Sequence, residues 1–318
     1  MPLTIAPAIV FRDAQRLDEC PVCRSARLRH KLTDGDYHYQ IAGQFSADEC
    51  QDCALVFVNP MPSARDLAAL YPDDYYAYQP PRLPHPLKEA VKAILGLRKR
   101  TLLPHFARPG TMLDVGCGSG QYLLEMKARG WEVYGAELSQ AAASAGRSAG
   151  LDIRSGEIMH AGFADAMFDF VRSNHSLEHI PNPVPVLSEI RRILKPDGKL
   201  FIGVPNINGA MAKLFGRYWW YMCLPVHTYS YNPRNLSRLL AQNGFRVECV
   251  RYYSDYGGTL GSLQIYANRH QVPRSSNGRI VYNKLLRLPG QYLARLLDLL
   301  RLGDCIEVIA VPSGRPTP

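Results

Sequence analysis

Four of the eight cysteines stand as Cys20-x-x-Cys23 and Cys50-x-x-Cys53, with 26 residues between the pairs. Two intervening residues let both sulfurs of a pair reach one tetrahedral ion, so the spacing points to a closed four-thiolate zinc site in a reducing compartment. The competing reading is a chance pair of inert motifs. Knuckles of this kind often carry glycine after the second cysteine, and the residues here are Arg24 and Ala54. Cys117, Cys223, Cys249 and Cys305 are scattered, mostly in apolar runs, and read as small core residues.

A second constellation is Asp114-Val-Gly116-Cys-Gly118-Ser-Gly120, directly after the apolar run TML. Glycines at a strand-to-helix turn let backbone approach a ligand above a helix N-terminus. Dinucleotide enzymes use such a turn too, but their fingerprint needs glycine at 121, and that residue is Gln121. Glu137, at the end of the next apolar run, suits the ribose hydroxyls of any nucleoside ligand. The Asp114 carboxylate is expected to face a cationic amino-acid group rather than a pyrophosphate.

These residues need elements to hold them. Residues 26–58 alternate like three short strands, ARLRHKL, DYHYQIA and CALVFVNP, in a segment too small for a core of its own. Ser63 with Asp66 reads as a capping box opening a short helix. The tyrosine-rich DDYYAY and the proline-rich QPPRLPHP follow, then a basic helix at about 87–102. From residue 111, strand and helix alternate: TMLDVG, WEVYGAE, LDIRSGE, FDFVRSN and KLFIGVPN read as five strands, with FRVECVRYY and DCIEVIAVP as the sixth and seventh. Such alternation implies an α/β fold with a doubly wound parallel sheet. Segments 206–231 and 257–303 are insertions.

Composition narrows the function classes. In 318 residues, 47% are hydrophobic and 20% charged, which excludes a disordered or collagen-like chain. No apolar run approaches the length of a spanning helix, and MPLTIAPAIVF lacks the basic start of a signal peptide, so a cytoplasmic protein is expected. Residues 1–80 carry 7 Lys/Arg against 11 Asp/Glu, whereas 81–110 carry 7 against 1 and 251–318 carry 9 against 4. Two basic patches fit an anionic substrate, a membrane surface or simple solubility equally well.

LDVGCGSG, FDFVRSNHSLEHIPNP and LSEIRRILKPDGKLFIGVPN together resemble the class I S-adenosylmethionine-dependent methyltransferases. Upstream, CPVC, ECQDCALVFVNPMPS and LYPDDYYAY are similar to the N-terminal zinc-binding region of a bacterial subgroup. That subgroup includes C-methyltransferases of nucleotide-linked deoxysugars and methyltransferases of glycan and natural-product pathways. The likeness is good over about 18–250 and loose over 250–312. No counterpart of the extra C-terminal domain of the sugar C-methyltransferases is evident, which points away from that substrate.

The resemblance implies a seven-stranded Rossmann-like sheet with a zinc-ribbon-like module at 14–60. A helical linker at 61–110 would cover the cofactor site, and the methyltransferase domain would span 111–318. It implies S-adenosylmethionine as cofactor and a structural Zn(2+) on Cys20, Cys23, Cys50 and Cys53. Gly116, Gly118 and Gly120 would approach the amino-acid part of the cofactor, with Asp114 supporting the loop and Glu137 accepting the ribose hydroxyls. Glu157 would lie near the adenine and Asn174 beside the methionine portion. Glu157 could equally be a solvated turn residue and Asn174 a strand cap. Tyr76, with Tyr75 and Tyr78, would cover the cofactor or only pack between domains.

Methyl transfer to a hydroxyl or carbon acid requires a proton to leave, and histidine is the natural acceptor near neutral pH. Glu178-His179 matches the family's acid–histidine pair, so His179 ranks first as base or substrate ligand. His227, after the aromatic GRYWWYMCLP, ranks second, and His175 reads as structural. The bland alternative is that these histidines cap loops and stack on tyrosines. The leading expectation is a small-molecule or glycan acceptor. An RNA methyltransferase gripping its substrate with the zinc module is the runner-up, disfavoured by that module's acidic charge, so no nucleic-acid partner is expected. A noncatalytic cofactor-binding protein is the third class.

In RIVYNKLLRLPGQYLARLLDLLRL, Lys284, Arg287, Gln291, Arg295, Asp298 and Arg301 fall on one stripe of a helix interrupted near Pro289-Gly290. Its leucines are expected to pack on the domain or on a second subunit, giving a homodimer. The alternative is peripheral contact with an anionic membrane through 279–302.

Overall fold

The computed structural model describes residues 11–314 other than 39–40, 69, 71–78, 84, 86, 88–89, 92–93, 95–101 and 272–274. Tyr75, Tyr76 and Tyr78 lie outside the described residues. So does most of the basic segment 87–102, of which Leu87, Ala90, Val91 and Ile94 are helical.

The chain opens with β1 (Leu28–Asp34), β2 (Phe45–Cys50) and β3 (Val56–Val58). The middle strand is displaced from DYHYQIA. Its described residues, 36–38 and 41–42, form no strand: the buried Asp36 carboxylate accepts the backbone N–H groups of His38 (2.9 Å) and Ile41 (3.1 Å), and FSADEC forms the strand instead. The capping box is present at α1 (Ala64–Ala68): the Asp66 N–H donates to Ser63 Oγ at 3.1 Å and the Ser63 N–H to Asp66 Oδ2 at 3.3 Å.

From residue 111 the alternation builds β4 (Thr111–Val115), α2 (Gln121–Lys127), β5 (Glu132–Glu137), α3 (Gln140–Ser148) and β6 (Asp152–Ser155). It continues with β7 (Phe168–Asn174), α4 (Pro183–Ile193) and β8 (Leu194–Pro205). The first insertion supplies α5 (Ala210–Phe215) and β9 (Tyr229–Ser230). Then come α6 (Pro233–Gln242), β10 (Phe245–Tyr253), α7 (Tyr256–Ala267), α8 (Arg279–Tyr282), α9 (Lys284–Leu299) and β11 (Cys305–Pro312).

The seven-stranded sheet has the order β10-β11-β8-β7-β4-β5-β6 and a Rossmann-like doubly wound topology. It is mixed rather than wholly parallel, because β11 runs antiparallel to both β8 and β10. The reason is where the chain re-enters. Cys305 pairs with Pro205, so β11 starts beside the carboxyl end of β8, and the strand can only run back down. Strand order reverses between β4 and β7, the crevice at which open α/β sheets bind ligands.

The second sheet, β1-β2-β3-β9, joins the cysteine segment to the first insertion. Cys20, Leu55 and Phe57 share one core with Leu113, Val171 and Leu236 of the main sheet and its helix α6. The segment thus gains apolar burial from the large domain as well as any it gains from a metal. Both residues after the second knuckle cysteines have left-handed backbone, Arg24 at φ 62° and Ala54 at φ 55°. An L-residue there costs about 1 kcal/mol relative to glycine. Ala54→Gly is therefore expected to raise stability by about that amount, read as a higher denaturant midpoint at unchanged slope.

Helix α9 divides its leucines, with Leu297 buried in the core beside Ala294 and others facing out. Leu285 and Leu299 are 85% and 83% exposed, and Tyr292 is 61% exposed, whereas Arg287, Gln291 and Arg295 line a cleft on the protein side. The helix also runs unbroken through Pro289, against the expected interruption. Pro289 removes one N–H donor, but Gly290 seats the backbone against Tyr256 and Leu260, where an added Cβ would lie 3.2 Å from Tyr256 Cβ. Among the described residues no helix is long and apolar enough to cross a membrane.

Candidate functional site

The glycine turn leaves β4 at the topological switch point. Gly116, Gly118 and Gly120 have φ of +72°, +55° and +85°. Two of them are also sterically required: a Cβ at Gly116 would lie 2.3 Å from Ser176 Oγ, and one at Gly120 would lie 2.5 Å from Leu151 Cδ1. Glu137, at the carboxyl end of β5, stabilises the turn by accepting the Gly118 N–H at Oε2 and the Ser139 N–H at Oε1, both at 2.8 Å. Burial pushes its carboxyl up, and these donors offset only part of the rise. Each oxygen has a second lone pair for a ligand hydroxyl.

Asp114 does not await a ligand's cation. Its sheet neighbour on β7 is Arg172, whose Nη1 donates to Asp114 Oδ1 at 2.9 Å and to Oδ2 at 2.8 Å. The guanidinium stacks 4.0 Å from the centre of the Tyr122 ring. Burial raises the Asp114 carboxyl, and Arg172 offsets it in part. Arg172 was missed in the sequence; its only signal was a basic residue inside the apolar FDFV run, and its partner lies 58 positions away. Gln121, where a dinucleotide site would need glycine, instead exchanges hydrogen bonds with the Arg82 backbone at 2.9 and 2.8 Å, drawing segment 79–83 across the start of α2.

The turn after β7 carries His175 and His179, and the first insertion brings His227 beside His179. Each Nδ1 faces a backbone carbonyl, His179 with Val226 O at 3.1 Å and His227 with Tyr221 O at 2.8 Å. A carbonyl only accepts, so Nδ1 of each ring bears the proton and donates, and Nε2 carries the lone pair. The two rings meet edge to face, 4.7 Å between centres. The fully buried Glu178 receives His175 Nδ1 at Oε1 (3.2 Å), and its Oε2 has no hydrogen-bond partner among the described residues. Glu178, His179 and His227 each bring one donor atom within 4.8 Å of the others, a set that a divalent cation would also accept.

Charge at this turn follows from burial. Burial would raise the Glu178 carboxyl, but the His175 hydrogen bond and the neighbouring imidazoles outweigh it and hold it at about 2. Burial lowers His179, with Glu178 pulling it partly back. Burial and the adjacent His179 push His227 down to about 3. At neutral pH the trio is one carboxylate beside two neutral rings.

One continuous cleft of about 3110 Å³ joins these parts, lined by Asp114, Gly116, Gly118, Glu137, His179 and His227. Glu157 and Asn174 also line it, while Gly120 and Glu178 stand behind its wall. Glu157 is partly solvated, 3.7 Å from His160. Asn174 packs over Gly203, where an added Cβ would lie 2.4 Å from its Oδ1.

The four paired cysteines form a separate centre. Cys20 Sγ lies 3.6 Å from Cys53 Sγ, and Cys23 Sγ lies 3.4 Å from Cys50 Sγ, so each contact joins the two knuckles. All four sulfurs fall within 4.8 Å of one another. A tetrahedral zinc with bonds of about 2.3 Å needs sulfurs about 3.8 Å apart, so the donor set fits the ion. The Cys23 N–H points at Cys20 Sγ from 3.5 Å, and Asn232 Nδ2 donates to the Cys53 and Ala54 carbonyls at 3.1 and 3.3 Å.

Comparison with known proteins agrees with this architecture. Over 150 residues the chain is 33% identical to the ubiquinone biosynthesis O-methyltransferase of Azoarcus sp. (strain BH72), covering 43% of this chain and 64% of the relative. Over 110 residues it is 37% identical to the enzyme of the same name from Hahella chejuensis, covering 32% of this chain and 46% of the relative. The chain thus spans under two thirds of the length of these relatives. Among solved structures, phosphoethanolamine N-methyltransferase 2 of Haemonchus contortus aligns with a TM-score of 0.48 at 19% identity, over 81% of this chain and 63% of that one. The family model described as "Methyltransferase domain" matches residues 87–250, just over half of the 318 residues, and the chain belongs to that family.

Proposed function

We propose that this chain transfers the methyl group of S-adenosylmethionine to a small-molecule or glycan-type acceptor, with His179 taking the acceptor's proton. One observation carries the reading: the glycine turn, Glu137, His179 and His227 all line the same cleft. The bound cofactor supplies an electrophilic methyl on sulfonium. Gly116 and Gly118 would approach its amino-acid part, Glu137 would hold the ribose, Glu157 would lie towards the adenine, and Asn174 beside the methionine portion. His227, the weaker base, would orient the acceptor. The names of the ubiquinone biosynthesis relatives make a hydroxyl oxygen the acceptor atom to test first.

We further propose that Cys20, Cys23, Cys50 and Cys53 hold one structural zinc. Four thiolates close its coordination shell, so the ion takes no part in the transfer.

Titration calorimetry with S-adenosylmethionine tests the cofactor assignment. Glu137→Ala is expected to weaken binding by about 1–3 kcal/mol, the scale of leaving polar partners unpaired. A wild-type protein that does not bind the cofactor overturns the reading.

A further inference from the structure

The cleft continues past the histidines to a second polar region built by β10 and α9. Arg251, Tyr252, Tyr256, Arg287, Gln291 and Arg295 line it. Arg251 and Arg287 are half-buried. Arg287 Nε is buried without a hydrogen-bond partner among the described residues, and Arg251 makes no close ion pair there, although its charge favours the ionised forms of Asp298 and Glu307. Arg287 lies over the Tyr256 ring, 5.5 Å from its centre. Three carboxyl groups stand nearby, and one of their oxygens, Asp298 Oδ1, is itself buried without a hydrogen-bond partner among the described residues. Asp255 accepts the Gly258 N–H at the start of α7, and Glu307 accepts the Leu102 N–H at 2.8 Å. Asp298 is hydrogen-bonded by Ser254, and burial keeps its carboxyl high, at about 6.

Helix orientation makes the pattern informative. A helix with this sequence would ordinarily bury its leucines and leave the arginines in water. Here Leu297 is buried but Leu285 is exposed, and Arg287, Gln291 and Arg295 line the cleft with Leu299 at its rim. Desolvating a guanidinium without an anion is unfavourable, and planar forks suit oxyanions. We propose that Arg251 and Arg287 form a subsite for a phosphate or diphosphate group of the methyl acceptor. The inference rests on the methyltransferase reading for calling the ligand an acceptor; the anion site itself does not depend on it. The phosphate could belong to a soluble sugar phosphate or to a lipid whose chains lie on the outward leucines of α9.

Inorganic pyrophosphate, titrated into the full chain at fixed ionic strength, is the direct probe. Wild type is expected to bind it, and Arg251→Gln with Arg287→Gln to bind at least about tenfold more weakly, the range of lost charge-assisted hydrogen bonds. Arg287→Lys should retain part of the affinity, and each single Gln variant gives a smaller loss if the double variant folds poorly. Vesicles of phosphatidylcholine with and without phosphatidic acid separate the two sources. Sedimentation with the acidic vesicles, lost in the Gln variants, supports a lipid phosphate. Pyrophosphate binding with no vesicle binding supports a soluble one. No pyrophosphate binding by wild type, or equal binding by folded Gln variants, overturns the proposal. Cofactor binding measured on the same samples reports separately on the methyltransferase reading.

Discussion

Replacing His179 by alanine is expected to lower turnover by about 10²–10⁴, the usual loss with a general base, and to leave cofactor affinity unchanged. The expectation follows from how the ring is held. The Val226 carbonyl fixes the proton on Nδ1, which leaves the lone pair on Nε2 to take the acceptor's proton. Proton transfer creates an imidazolium beside the buried Glu178 carboxylate, which remains ionised because it is held at about 2. His227 also lies beside Glu178, but burial and the adjacent His179 outweigh that carboxylate and push it down to about 3, too weak a base for the same task. The sign of the pH effect is set by the base form. Activity needs neutral His179 and is lost when the ring takes a proton; because burial lowers His179, the acid limb should fall below the ordinary imidazole value of 6.5. Steady-state rates over pH for wild type and His179→Ala check both points. Full activity in His179→Ala with a dead His227→Ala would reverse the two roles.

The second large effect is expected at the cysteines. Removing zinc with a strong chelator, or combining Cys20→Ser with Cys50→Ser, should unfold the N-terminal sheet and abolish turnover. Structural zinc sites of this type hold their metal with about 10–16 kcal/mol, more than the stability of an ordinary domain. The loss should reach the acceptor side because β3 pairs with β9, Val58 N–H donates to Thr228 O at 2.9 Å, and Thr228 Oγ1 donates to the Glu178 carbonyl at 2.9 Å. His227 sits one residue before that bridge. Elemental analysis alongside activity on the same samples checks the expectation, and a metal-free protein with native turnover would refute it.

What could be read beforehand divides along physical lines. The strands β4 to β8, β10 and β11 and the Ser63–Asp66 box were legible because each is dictated by residues within a few positions. The sense of β11 was not legible, since it depends on where α9 delivers the chain rather than on apolar content. Nor was the facing of α9, because leucines outward and leucines inward share one periodicity. In the site, the glycine turn and Glu137 follow from local spacing. The Asp114–Arg172 pair does not, because it arises from the register of β4 against β7. DYHYQIA misled for a related reason: its alternation mimics a strand, and the Asp36 carboxylate outcompetes the ladder for the backbone.

The pairing of β3 with β9 also bears on how this protein could be recombined or shortened. A boundary drawn at residue 60 is a boundary in sequence only. A chain cut there would leave Tyr229 and Ser230 without their ladder, and Asn232 and Asn235 without the Cys53 carbonyl that both engage. It would also bare the apolar wall that Leu55 and Phe57 now cover. The cysteine module is therefore not a cassette that can be swapped between catalytic domains. Any graft must carry residues 206–235 with it, and acceptor preference should move as one unit with the module and that insertion.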